Sequence, residues 1–188
     1  VDLDRFNLKR IIGIAEKPIL DLGALGSFDE FGTYPVSVIA DGKIIRAYYA
    51  GWTRCESVPF NVAIGAAYSN DGGVSFKKFG DGPVLNHFQN EPFVISGPKI
   101  RRFNDQWYLF YIAGRKWKIS NGRAEPVYKI RMATSDDGIR WNKLDRDLLQ
   151  SREEEKKKQA SPEVFFANGV YHMFFCYRFS EKKKKKMK

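Results

Sequence analysis

The chain has 188 residues, 43% of them hydrophobic and 15% aromatic, enough for one domain with a substantial core. Its formal net charge of +10 points towards nucleic acid, but residues 181–188 supply six lysines against one glutamate, so residues 1–180 carry only +5. A basic nucleic-acid face is therefore not expected, and residues 181–188 read as a disordered Lys-rich tail. No apolar run approaches 18 residues, so no membrane span is expected. Cys55 and Cys176 are too few for a disulfide framework and have no metal-ligand spacing. Reduced thiols and a cytoplasmic location are the default expectation, with a leader upstream of Val1 left open.

In chain order, Phe6–Ile14 reads as one strand, followed by a turn at Lys17-Pro18 and a short Ile19-Leu20. The stretch from 26 to 35, Gly-Ser-Phe-Asp-Glu-Phe-Gly-Thr-Tyr-Pro, then opens a unit that recurs. Pro35, Pro98 and Pro162 each begin a short strand, at spacings of 63 and 64 residues. Each strand ends in a turn, at Asp41-Gly42, Asn104-Asp105 and Asn168-Gly169. Each turn leads into an aromatic strand, beginning at Lys43, Gln106 and Val170. Third strands are expected at Asn61–Ser69 and Ile130–Ser135. The Ser-x-Asp-Gly turns beginning at Ser69 and Ser135 lead to fourth strands at Val74–Phe79 and Ile139–Leu144.

A repeat of about 64 residues holding four short antiparallel strands, with no helical periodicity, predicts an all-β fold. The expected architecture is a five-bladed β-propeller of four-stranded antiparallel blades, incomplete in this chain. The partial propeller covers 1–180: the end of one blade, two full blades at about 33–85 and 97–149, and a half blade at 161–178. A β-sandwich is the rival, but it has no reason to repeat one strand-turn-strand unit at near-constant spacing. Open blade edges favour self-association.

Propeller topology puts the loops before each repeat proline and those after each aromatic strand on one rim, around the central funnel. These loops carry Asp29, Glu30, Asn90 and Glu91, and then Trp52, Arg54, Lys116, Trp117, Glu125, Tyr128, Lys129 and Arg178. Paired carboxylates serve as acid and base in glycosidic cleavage, so Asp29, Glu91 and Glu30 are the catalytic candidates. Trp52, Arg54, Asn90, Lys116, Trp117, Glu125, Tyr128 and Arg178 are the candidate contacts to a carbohydrate substrate or ligand. Each has a plainer alternative: a carboxylate that orders its loop, or a tryptophan that packs between blades. Glu163, one residue after Pro162, is expected to point away from the funnel. His87 and His172 make no zinc site, and no metal or other cofactor is expected.

The segments Phe28-Asp-Glu-Phe-Gly-Thr-Tyr-Pro35, Tyr48-Tyr-Ala-Gly-Trp52, Ser69-Asn-Asp-Gly-Gly-Val-Ser-Phe76, Gly80-Asp-Gly-Pro-Val-Leu85 and Asn90-Glu-Pro-Phe93 resemble the five-bladed propeller glycosidase superfamily, which includes glycoside hydrolase families 43, 32, 62, 68 and 130. The nearest resemblance is to bacterial glycosyl hydrolase-like members found with surface-polysaccharide genes, and it covers essentially residues 1–180. The resemblance implies glycoside hydrolysis in the funnel, or carbohydrate binding without catalysis. It does not supply the usual acids by position. Where the family has an Asp just before the third blade's proline, this chain has Ser96-Gly97-Pro98. Where the family has its acid Glu two residues before the next proline, it has Ala160-Ser161-Pro162. Catalysis would therefore fall to Asp29, Glu30, Glu91 or Glu125.

Overall fold

A computed structural model describes residues 1–149 and 157–179. Twelve strands follow one another in chain order: β1 (Asp2–Leu3), β2 (Ile11–Gly13), β3 (Gly32–Asp41), β4 (Ile44–Thr53), β5 (Asn61–Ser69), β6 (Lys77–Lys78), β7 (Phe93–Phe103), β8 (Gln106–Ser120), β9 (Arg123–Ser135), β10 (Asn142–Lys143), β11 (Lys157–Ala167) and β12 (Val170–Phe179). The described residues contain no helix. Strands β3-β4-β5-β6 form one antiparallel meander, β7-β8-β9-β10 a second, and β11-β12 a hairpin. The protein is thus all-β, with two four-stranded sheets where the sequence predicts two full blades.

The recurring proline has a common structural setting. The β3–β4 register slips between Thr33 and Val36, the β7–β8 register between Ser96 and Lys99, and the β11–β12 register between Ala160 and Glu163. Each slip brackets Pro35, Pro98 or Pro162. Proline has no amide to give to a ladder, and a bulge is where a sheet tolerates that loss. The three first strands lie in succession. Ile100 N donates to Ser37 Oγ at 3.2 Å, and Arg101 Nε donates to the Val164 carbonyl at 2.8 Å, each across 63 residues.

Alternation along the strands builds the core. Tyr48, Ile64, Ala66 and Leu85 of the first sheet pack against Ile95, Ile100, Trp107, Leu109, Tyr111, Ala113 and Ala133 of the second. The opposite face of the first sheet buries Ala47, Tyr49 and Ala67 beneath Leu20, Phe28 and Phe76. At the far end of the sheets, Tyr48 Oη donates to the Gly138 carbonyl at 2.8 Å, and Arg46 stacks 5.0 Å from the Trp107 ring while pairing with Asp41 at 2.7 Å. The Ser-x-Asp-Gly turns close themselves. The Ser69 hydroxyl donates to Asp71 (2.7 Å) and accepts from Gly73 N (2.8 Å), and Ser135 does the same with Asp137 (3.0 Å) and Gly138 N (2.8 Å).

Several sequence expectations need correction. Phe6–Ile14 is not one strand. Asp4 caps a turn by accepting from Phe6 N (2.8 Å) and Asn7 N (3.1 Å), which leaves only Ile11–Gly13 extended. The fourth strands shrink to Lys77–Lys78 and Asn142–Lys143. The expected loop after the second aromatic strand, carrying Lys116, Trp117 and Glu125, is a continuation of the β8–β9 hairpin, closed at Asn121-Gly122, where both residues take positive φ (51° and 75°) as a tight two-residue hairpin turn requires. The tail at 181–188 lies outside the described residues.

Candidate functional site

Asp29 precedes β3 and is 1% exposed. Its carboxylate accepts from Tyr49 Oη (2.9 Å) and Lys78 Nζ (2.6 Å) on Oδ2 and from Ser27 Oγ (2.9 Å) on Oδ1. Burial pushes its pKa up, but the bonds from Lys78, Ser27 and Tyr49 and the lysine charge outweigh that and hold it below the usual value. Burial and the adjacent Asp29 carboxylate raise the Tyr49 phenol, so it remains a neutral donor.

Glu91 repeats this arrangement in the second blade. It is 0% exposed and accepts from Tyr111 Oη (2.8 Å), from Arg131 Nη1 (3.0 Å) and from Lys143 Nζ. Burial and the Glu91 charge likewise raise the Tyr111 phenol. Acid and tyrosine are 20 residues apart in both blades, and the lysine comes from β6 in one and β10 in the other. Arg131 has no counterpart in the first blade, where Gly65 stands opposite Tyr49 as Arg131 stands opposite Tyr111. Arg131 also bonds Asp147 (2.9 Å) and Asp145 (3.3 Å), and although burial lowers its pKa, the bonds to Asp147 and Glu91 and their charges bring it above normal.

Asp29 and Glu91 therefore occupy matching places in successive blades, each neutralised by its own lysine and sharing no bonding partner. Glu30 accepts from Gly26 N at 2.9 Å and so closes its own turn. Asn90 donates to Asp145 at 2.9 Å and gives its carbonyl to Arg115 at 2.6 Å. Glu125, on the hairpin extension, pairs with Lys158 at 2.6 Å. Tyr128 is half-buried opposite Gly114, and Lys116 is exposed just beyond the β8 bulge. Lys129 is buried opposite Ala113, and its ammonium has no hydrogen-bond partner among the described residues. The Arg178 backbone pairs with Lys158 in the β11–β12 ladder, while its side chain lies outside the described atoms. Glu163, expected to point away from the funnel, pairs with Lys99 (2.8 Å) and Arg101 on the first strand of the second blade.

What the structure does bring together is the two tryptophans. Trp52 at the end of β4 meets Phe60 edge-on at 4.7 Å between ring centroids, and Phe60 meets Trp117 of the hairpin extension at 5.4 Å. The row rests on Ala50, Val62 and Val94, and Trp52 Nε1 donates to the Tyr34 carbonyl. All three rings are half-buried. Beside them, Arg54 stacks 4.7 Å from the exposed Phe31 ring. Tyr49, Tyr111, Lys78, Lys143, Arg131 and Phe60 are among the participants that sequence reasoning missed. The 20-residue interval from acid to tyrosine, present twice, is the available signal for the lysine clusters.

Among the described residues no group of three or more His, Cys, Asp or Glu could hold a metal ion, and no helix is long and apolar enough to cross a membrane.

No family model matches the chain. It is 32% identical over 169 residues to the uncharacterized protein Rv1502 of Mycobacterium tuberculosis H37Rv, and equally to its counterpart in strain CDC 1551. The match covers 90% of the present sequence and 56% of each relative, so the protein spans about half the length of the curated relatives it matches. Among solved structures, the GH32 β-fructofuranosidase BmSUC1 of Bombyx mori superposes with a TM-score of 0.61 at 22% identity, over 88% of this chain and 33% of that one. A glycosyl hydrolase from Bacteroides ovatus gives 0.58 at 18%, over 79% and 44%. The xylose-bound GH43_1 enzyme of Xanthomonas citri gives 0.56 at 14%, over 80% and 40%. The chain shares its fold with these glycoside hydrolase structures.

Proposed function

We propose that this chain is the carbohydrate-engaging part of a glycoside hydrolase-like propeller, and that a glycan lies across the rim formed by Trp52, Phe60 and Trp117. The row of three rings carries the reading. Flat apolar faces fit the C–H faces of sugar rings, and Arg54 and Lys116, close in sequence to the two tryptophans, supply polar groups for hydroxyls. Support comes from structural neighbours that hold sugars, a sucrose complex and a xylose complex among them. Closure into five blades belongs to this proposal.

Hydrolysis is the second reading, favoured by the fold of the neighbours. In it Asp29, Glu91 and Glu30 are the carboxylates. The burial and lysine pairing of Asp29 and Glu91 support an anchoring role better than acid–base work, because a general acid or base needs access to substrate and an unshared proton position. Amide substitution separates the two readings. Asp29→Asn and Glu91→Gln abolish turnover of a glycan that the protein cleaves if these groups do the chemistry. They lower stability while sparing glycan binding at the rim if they anchor the blades.

A further inference from the structure

We propose a second carbohydrate site, for one neutral sugar ring or a disaccharide, in the cavity on the face of the first blade turned away from the second. The cavity has a volume of about 340 Å³ and lies between residues 20–27 and the strand and turn at 76–81. That volume falls within the ~300–1,000 Å³ range of ligand sites.

One sequence difference between two otherwise parallel blades lies at the cavity's edge, in the turn around Asp81, whereas the space beside Gly65 is filled by the Tyr49 and Phe28 rings. In the second blade the Arg131 guanidinium reaches Glu91, Asp145 and Asp147. In the first blade Gly65 replaces Arg131 in the register, and the stretch corresponding to 145–147 reads Gly80-Asp81-Gly82. A Cβ added at Gly80 or Gly82 would meet nothing within 4 Å. The acid, the tyrosine and the lysine are kept, and the arginine and its two carboxylate partners are gone.

The walls suit a sugar. Phe76 and Leu20, fixed against the Ala47–Tyr49–Ala67 cluster, offer an apolar side. The Asp29–Lys78 ion pair forms a charged but neutralised floor. At the mouth Asp21 and Asp81 can accept from hydroxyls and Lys77 can donate to them. Three carboxylates face two lysines there, so an uncharged ring fits better than an anionic one. This site is separate from the Trp52–Phe60–Trp117 row and stands or falls independently of it.

The test is a backbone-amide NMR titration of the 188-residue protein with D-glucose, D-xylose and sucrose, run on the wild type, Asp81→Ala, Phe76→Leu and Trp52→Ala. Asp81 is exposed, so its replacement leaves the fold in place. The proposal expects saturable shifts within 20–27 and 76–81, weakened at least tenfold in Asp81→Ala and unchanged in Trp52→Ala. Shifts confined to the aromatic row overturn the cavity site and leave the rim reading standing. No saturable shift at the cavity with any of the three sugars, or equal affinity in Asp81→Ala, also overturns it.

Discussion

Tyr111 donates a 2.8 Å hydrogen bond to Glu91, and both residues are wholly withdrawn from solvent. The same relationship joins Tyr49 to Asp29 at 2.9 Å in the preceding blade. Each pair ties the loop that enters a blade to that blade's second strand, and a lysine of the fourth strand completes the link. The loop, an inner strand and the outer strand are thereby fixed to one another by a single carboxylate.

In the second blade, removing the acid should cost more than removing the tyrosine hydroxyl that bonds it. Tyr111→Phe deletes a donor to a charged acceptor, worth about 1.5–3 kcal/mol. Glu91→Ala takes the shared anion from Arg131 and Lys143, and breaking a buried ion pair costs up to about 3–5 kcal/mol. Urea unfolding should show the larger loss for Glu91→Ala, with a non-additive double variant because the two residues share one network. Additive, sub-kilocalorie effects would contradict the anchoring role.

Asp29 gives the pH dependence a definite sign. Its folded pKa is depressed, so it contributes stability that is present above the unfolded value of about 3.9 and is lost as pH falls through the folded value. Wild-type stability should therefore decline as the pH is lowered below about 4. Asp29→Asn should remove this residue's share of the decline while lowering stability at neutral pH. Lys78→Met, which removes the largest favourable bond to the carboxylate, should move the loss to higher pH.

Close packing behind the first clasp leaves no room at Gly65. A Cβ there would stand 2.4 Å from Tyr49 Cζ and 2.7 Å from Phe28 Cζ. Gly65→Ala should destabilise by about 1–3 kcal/mol through overpacking. Gly80→Ala, facing open space, should change stability little. The contrast between these two glycines in a thermal melt is the check.

Much of this organisation is legible in the amino-acid order alone. The prolines at 35, 98 and 162, the Asp-Gly and Asn-Gly turns and the aromatic second strands mark the blades because proline, glycine and period-two alternation act locally. The β8–β9 extension is not legible in the same way, because Trp117, Lys118 and Glu125 look like loop chemistry, although Asn121-Gly122 is a hairpin signal. Phe6–Ile14 misleads because Asp4, a side chain outside the apolar run, turns the backbone. The candidate acids can be found from the repeat, but their environment cannot. Burial of Asp29 and Glu91 depends on Lys78 and Lys143, which lie 49 and 52 residues away in sequence. Long-range pairing of that kind leaves no local pattern.

Glycan binding at the rim is tested most directly by tryptophan fluorescence titration with a panel of neutral oligosaccharides, comparing the wild type with Trp117→Ala. Saturable quenching is expected in the wild type. Losing one aromatic partner is worth about 0.5–1.5 kcal/mol, up to roughly a tenfold change, so weakening of that order is expected in the variant. Saturable binding of equal affinity in Trp117→Ala, or no saturable response across the panel from a folded wild type, would contradict a glycan site at this aromatic row.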